Sequence, residues 1–239
     1  METSLFTLTA LFALGGSLGW VLELLYRRAA HGKWVNPGFL VGPCLPLYGV
    51  GLILLYLICR LDLHKIRSSS WQKIVLILLI TVAMTAIEFL TGLFFTKRFH
   101  VRLWDYSARP GNIDGLICPL FTLIWGVLGA AYALLLHPRI VRWTQNVIQS
   151  RVCIFLLGIY LGIFILDICY SFHVAAAIQS WAVRTQLVVR YENLKLSVLN
   201  RAEELHQKRS FVFPLRSRFK LNEELDYYLD RVKTRLFHQ

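Results

Sequence analysis

Five long apolar runs follow one another along the chain, Ser4 to Tyr26, Val41 to Cys59, Ile74 to Phe95, Leu116 to Leu136 and Val152 to His173. Nothing else in the sequence narrows the fold as much. A helix needs about 20 such residues to cross the hydrocarbon layer of a bilayer. Inside lipid every backbone donor and acceptor must be paired within the protein, so runs of this length specify helices rather than open sheet. The chain carries 17% charged residues, against about 25% in a soluble domain. It is read as an all-α polytopic membrane protein with five transmembrane helices. Glu2 follows Met1 and no basic residue precedes the first run. A cleavable signal peptide opens on positive charge, so this run is expected to remain in the mature protein.

The charge is distributed unevenly. The formal net charge of +12 would point to nucleic acid in a soluble protein, but the Lys and Arg residues gather at span ends and in the C-terminal tail, where anionic headgroups lie. The expected partners are therefore the lipid bilayer and, through the basic tail, anionic lipid headgroups, with no nucleic acid. Arg27, Arg28, Lys33, Lys97, Arg98, Arg102 and Arg109 share a side with the tail if the spans alternate. Positive residues stay cytoplasmic, which predicts a multi-pass protein of the cytoplasmic membrane with its N-terminus outside and its C-terminus inside.

Residues 1–173 read as a transmembrane domain, 174–210 as a juxtamembrane amphipathic helix and 211–239 as a basic tail. In the second of these, Leu187, Tyr191, Leu194 and Val198 fall on one helical face, suited to docking a partner. The tail offers Pro214 as a break and Asn222 as an N-cap for a short helix bearing Leu221, Leu225, Leu229, Val232 and Leu236. The five cysteines form no CxxC pair and lie in or beside apolar runs, so they read as small buried hydrophobes. No metal site and no cofactor is expected.

Two polar stretches break the apolar pattern, and they resemble each other. NPGFLVGPCLPLYG, from Asn36 to Gly49, and NIDGLICPLFTLIWG, from Asn112 to Gly126, each open on Asn with Pro seven residues on, at Pro43 and Pro119. Each ends on an aromatic residue and Gly, with Tyr48 and Trp125 as the aromatics. Each is preceded by a span with a glutamate near its end, Glu23 and Glu88. The fold is therefore expected to rest on two helix-hairpin repeats, related by an axis along the membrane normal. Pro37, Gly38, Gly42, Pro43 and Pro46 cannot all sit in a regular helix. The chain should enter the membrane irregularly there, and such backbone is tolerated only where protein buries it or water reaches it.

A charged side chain at the centre of a spanning helix costs about 2.5 to 3.5 kcal/mol on insertion scales, so an acid in a span implies a paired or wet site. Glu23, Glu88 and Asp167 each lie one or two turns from the tail-side end of a span, beside Asp105 and Asp114. One reading is neutralisation by Arg27, Arg98, Arg102 or His100. The other is an ion, proton or headgroup site. The residues expected to bind substrate are Glu23, Asn36, Glu88, Asp105 and Asn112. Trp104 and Tyr106 read as interfacial anchors. His100 and Asp105 fix no geometry at their spacing, and Ser107 sits in no nucleophile motif.

In order and spacing, several stretches resemble the bacterial ABC-transporter type IV permease family. They are GW-x-x-E-x-x-Y ending at Tyr26, N-x-GFL-x-GP-x-x-P-x-YG through Gly38, Gly42, Pro43 and Tyr48, E-x-x-TG from Glu88, WDYS from Trp104, and N-x-x-G-x-x-C through Gly115 and Cys118. The resemblance covers about residues 15 to 138 and leaves the fifth span and the tail outside. It implies a permease component. The chain has no phosphate-binding GxxxxGK[ST] loop, so an ATPase would be a separate subunit, and a second copy of the chain is an alternative partner. Two other functions fit the sequence: an enzyme acting on a lipid or cell-envelope intermediate, with Asp105, His100 or Glu88 moving protons, and a regulatory protein working through its C-terminal helices.

Overall fold

The computed structural model describes residues 4–63, 68–185, 188–204 and 221–237. Helix α1 (Leu5–His31) opens where the Ser4 hydroxyl accepts from the Thr7 N–H, and closes at Gly32 in the left-handed conformation. Both ends follow the usual capping chemistry. After an irregular stretch come α2 (Pro46–Ile58) and α3 (Ser69–Phe99). Strand β1 (Val101–Arg102) and a looped segment lead to α4 (Pro119–Ala131). A five-residue π-helical turn, Tyr132–Leu136, joins α4 to α5 (His137–Gln149). Pro138, the second residue of α5, has no N–H to donate into the preceding turn, and a widened turn absorbs the lost bond. The long helix α6 (Arg151–Thr185), strand β2 (Val189–Arg190), α7 (Tyr191–Glu204) and α8 (Leu221–Phe237) complete the described chain.

Four helical stretches are long and apolar enough to cross a membrane: Leu5–Ala30, Ser69–Phe99, Pro119–Gln149 and Arg151–Thr185. The run expected to span Val41 to Cys59 is helical only as the shorter α2, because helix begins at Pro46, whose fixed φ suits a first turn. Pro119 opens α4 in the same way. The helix sought at residues 174–210 is two: its first part is the end of α6, which continues past His173 to Thr185, and its second is α7. Asn222 lies within α8, which opens at Leu221. Leu187 and Pro214 lie outside the described residues, as does the side chain of Leu236.

The helices pack as hairpins, α1 against α2 and α3 against α4. Glycine decides how closely the first pair approaches. A Cβ on Gly15 would lie 2.7 Å from the Tyr48 carbonyl oxygen, and one on Gly19 would overlap the Tyr48 ring. Small residues four apart let helix backbones close on each other in lipid. Gly19→Ala is expected to cost about 2 kcal/mol through overpacking, read as a lowered midpoint of unfolding in mixed micelles.

The main buried apolar cluster gathers around the C-terminal ends of α3 and α6. Phe95, Phe99 and Val101 meet Ile178 and Trp181 of α6, Leu194 and Val198 of α7, and Leu225 of α8. The parallel pair β1–β2 sets Val101 opposite Val189, and the Val189 N–H donates to the His100 carbonyl at 2.8 Å. Trp181 Nε1 donates to Asp226 at 2.9 Å. The apolar face carrying Tyr191, Leu194 and Val198 is thus covered by the chain itself, with Leu194 and Val198 fully buried, each contributing about 1.5 to 3 kcal/mol of burial. It is not available for docking a partner.

Candidate functional site

Glu88 projects from α3 at the end of the bundle that carries this cluster, and is 3% exposed. Its Oε1 accepts from the Tyr106 hydroxyl at 2.9 Å and its Oε2 from Trp125 Nε1 at 2.9 Å. Among the described residues no cation pairs with it. Glu23 lies at the same end, on α1. Its Oε1 accepts from the Tyr48 hydroxyl at 2.9 Å, and Arg27 Nε stands 3.8 Å from its Oε2. The Tyr48 and Trp125 rings meet edge to face with centroids 5.8 Å apart. Two acids on different hairpins are therefore joined through an aromatic pair, each ring donating to its own carboxylate. Glu23 keeps 30% of its side-chain exposure, so the pair runs from a partly wet acid to a sealed one.

The second polar segment delivers Tyr106. Its ring stacks on Phe121 with centroids 4.4 Å apart. Burial first, then the negative charge of Glu88 and, more weakly, of Glu23, push its hydroxyl far above the usual phenol range. It therefore donates. Trp104 is more than an interfacial anchor: its indole donates to the Leu116 carbonyl at 2.8 Å, in space that Gly92 leaves open. Asn112 ties the loop to itself, donating to the Arg109 and Ser107 carbonyls and accepting from the Gly115 N–H at 3.0 Å. Gly115 has φ +69°, and a Cβ there would stand 2.9 Å from Asp105 Oδ1. Glycine is needed on both counts.

Asp105 is held within the same loop and by β2. It accepts from the Ser107 N–H at 3.0 Å and the Ser107 hydroxyl, and pairs with Arg102 at 3.3 Å and Arg190 at 2.8 Å. Burial works against its ionised form, but the Ser107 hydroxyl and N–H, Arg190 and Arg102 together hold the carboxyl below the usual aspartate range. Cys118 is buried at the start of α4 beside Pro119, whereas Tyr26 is 66% exposed.

The first polar segment is fastened from three helices, α1, α6 and α7. Asn36, 1% exposed, accepts from Trp20 Nε1 at 2.9 Å and the Gly38 N–H at 3.1 Å, and donates to the Leu40 and Val41 carbonyls. Asp167 of α6 accepts from the Val41 N–H at 2.9 Å and the Gly42 N–H at 2.8 Å. A Cβ on Gly42 would crowd Asp167 Oδ2 at 2.8 Å. From α7, Lys195 Nζ donates to the Asn36 carbonyl at 3.0 Å and to the Gly38 carbonyl. The Leu45 N–H donates to the Gly16 carbonyl at 2.9 Å. Just beside this segment, Arg27 also pairs with Glu192 of α7.

The structure therefore brings Glu23, Tyr48, Glu88 and Tyr106 together, and engages Asn36, Asn112 and Asp105 in holding the two polar segments. Sequence reasoning missed Trp20, Lys195, Glu192 and Arg190, and weighed Asp167 between an ion pair and an ion or proton site, where it instead accepts from backbone. The one signal for Lys195 was a cation lying between apolar positions of an amphipathic helix.

The chain is thus a helical protein with four helices long and apolar enough to cross a membrane and two acids, Glu88 buried and Glu23 partly exposed, brought close through an aromatic pair. The family model described as "Putative ABC-transporter type IV" matches residues 10–172, and the chain belongs to that family. The match takes in most of α6, which the motif resemblance had left outside. No curated protein and no solved structure matches the chain.

Proposed function

We propose that the chain is the membrane-embedded permease component of an ABC-type transport system. In this reading α2, together with the irregular residues leading into it, makes a fifth crossing. The acid pair lines a polar pocket on the cytoplasmic side, and a separate subunit supplies ATP hydrolysis. The basic residues at that end face anionic headgroups of the inner leaflet. Asn36, Asn112 and Asp105 shape the pocket mouth, and Glu23 and Glu88 receive a proton or a cationic group.

One observation carries this: Glu88 is sealed on the long apolar helix α3 with both oxygens on neutral donors. An acid that merely held helices together would be expected to sit on a cation or be replaced at no loss by an apolar side chain. An acid retained with neutral donors is poised to exchange a proton or a cation. Glu88→Gln keeps the shape but turns one acceptor into a donor facing Tyr106 or Trp125. ATP-driven uptake of radiolabelled cationic and zwitterionic solutes into inverted membrane vesicles is expected to fall at least about tenfold, a barrier change near 1.4 kcal/mol, with the amount of chain in the membrane unchanged. Normal uptake, or loss of the chain from the membrane, ends this role for Glu88.

A further inference from the structure

Arg27 stands between two acids carried by different helices. It follows Glu23 on α1 at the i, i+4 spacing that puts an acid and a later base on one helical face, and α7 sets Glu192 against its guanidinium from the other side. The two contacts are unequal. Arg27 Nη1 pairs closely with Glu192, whereas Arg27 Nε stands 3.8 Å from Glu23 Oε2, beyond hydrogen-bond reach. That Nε is sealed from solvent and makes no hydrogen bond among the described residues. A buried donor without a partner is costly, so something holds the guanidinium short of the nearby Glu23 carboxylate. Glu192 does so.

Glu192 is carried to Arg27 by contacts that do not involve Arg27. Lys195, one turn further along α7, donates to the Asn36 and Gly38 carbonyls, and Lys33, just past the end of α1, donates to Asn200 at 2.8 Å. These fix α7 against the end of α1. The Lys195 ammonium lies close enough to feel both the Arg27 and the Glu192 charges. Without Glu192, the guanidinium is repelled from α7 by the charged form of Lys195 and drawn back toward Glu23.

A carboxylate clamped by a guanidinium is a poor receiver for a second positive charge. Glu23 is not clamped: its Oε1 accepts from the neutral Tyr48 hydroxyl at 2.9 Å, and 30% of its side chain is exposed. We infer that Glu192 is a positioning residue for the acid pair, holding Arg27 off Glu23 from α7 and so keeping that carboxylate open to a proton or a cationic group. This rests on the reading of Glu23 as a receiving group, and it adds a control to it. A movement of α7 away from α1 withdraws Glu192 and lets Arg27 close on Glu23.

The test follows chemical modification of Glu23 in the full chain in nanodiscs, which needs no transport. Dicyclohexylcarbodiimide enters the bilayer and couples to carboxyl groups, slowly where a guanidinium holds them, and mass spectrometry reads the modified fraction at Glu23. Glu192→Gln keeps the size of the side chain and removes its charge. Labelling of Glu23 is expected to fall at least about threefold in this variant, the worth of one partly screened ion pair. It should return to the wild-type rate or above when Arg27→Gln is added. The sign separates this from a merely structural role. If Glu192 only docks α7, its loss opens the site and labelling rises. A rise, an unchanged rate, or a fall that Arg27→Gln does not reverse overturns the inference. If Glu192→Gln does not accumulate in the membrane, Glu192→Asp replaces it, since the shorter acid holds Arg27 less closely, and the same fall and the same reversal decide. Uptake by the same variants is measured beside the labelling and is expected to fall and recover with it. Labelling that follows this pattern while uptake stays normal leaves the hold of Glu192 on Arg27 standing and counts against Glu23 as a transport acid.

Discussion

Asp167→Ala is expected to destabilise the folded chain by about 3 to 5 kcal/mol, the range for removing a charged partner that leaves buried groups unpaired. The carboxylate accepts from two consecutive backbone N–H groups, at Val41 and Gly42, and from the Ser171 hydroxyl at 3.1 Å. The alanine variant strands both amides in a region with little water to replace the lost acceptor. Asp167→Asn separates geometry from bulk. It keeps one acceptor oxygen but presents an NH₂ group to the other amide, so about half the loss should remain. Unfolding in mixed micelles reads both variants, and hydrogen exchange at Val41 and Gly42 should quicken before the rest of the protein opens. An asparagine variant as stable as wild type would show that the carboxylate is not what holds these amides.

Lys195 gives the second large effect, and its sign is set by pH. Burial, reinforced by the nearby Arg27 charge and only partly opposed by Glu192, brings its ammonium down to about 7. In the unfolded chain it titrates at its ordinary 10.5. Between these values the unfolded chain binds a proton that the folded chain does not, so stability rises with pH across that window, by at most about 1.4 kcal/mol per unit. Below the folded value both states are protonated and the contribution sits at its minimum. Lys195→Met should flatten the slope. It should also cost about 2 to 4 kcal/mol by leaving the Asn36 and Gly38 carbonyls without their donor. Unfolding midpoints from about pH 7 to about pH 9.5 for both proteins check this, and an unchanged slope in the variant would assign the dependence to another group.

Much of this architecture was legible before any coordinates. Apolar content alone located the four helices long enough to cross a membrane and the shorter α2, and the proline positions located irregular backbone before α2 and α4. Counting turns from the span ends put Glu23 and Glu88 at one depth, because a helix advances by a fixed rise per residue. What the sequence hid were partners brought from far along the chain. Asp167 read as either a neutralised charge or an ion site because its true partners, two amides of residues 41 and 42, carry no side-chain signature. Lys195 read as the polar side of an amphipathic helix, since nothing local announces that its ammonium will cap carbonyls near residue 37. The face of Tyr191, Leu194 and Val198 had the right period for a docking surface, and periodicity cannot say whether the covering surface belongs to another molecule or to the same one.

Helix α6 is unbroken for 35 residues, about 52 Å at the standard rise, while the hydrocarbon layer is about 30 Å thick. The surplus makes it a strut with two loads. Asp167 grips the bent backbone ahead of α2, and Trp181, about 20 Å farther along the same rod, is pinned to α8 through Asp226. A tilt imposed where the rod meets lipid therefore cannot be absorbed between these points, and must swing the far cluster with it. Spin labels at Gly162 and Val183 should keep a constant separation when the bilayer is thinned, while the distance from Val183 to a label on α2 changes.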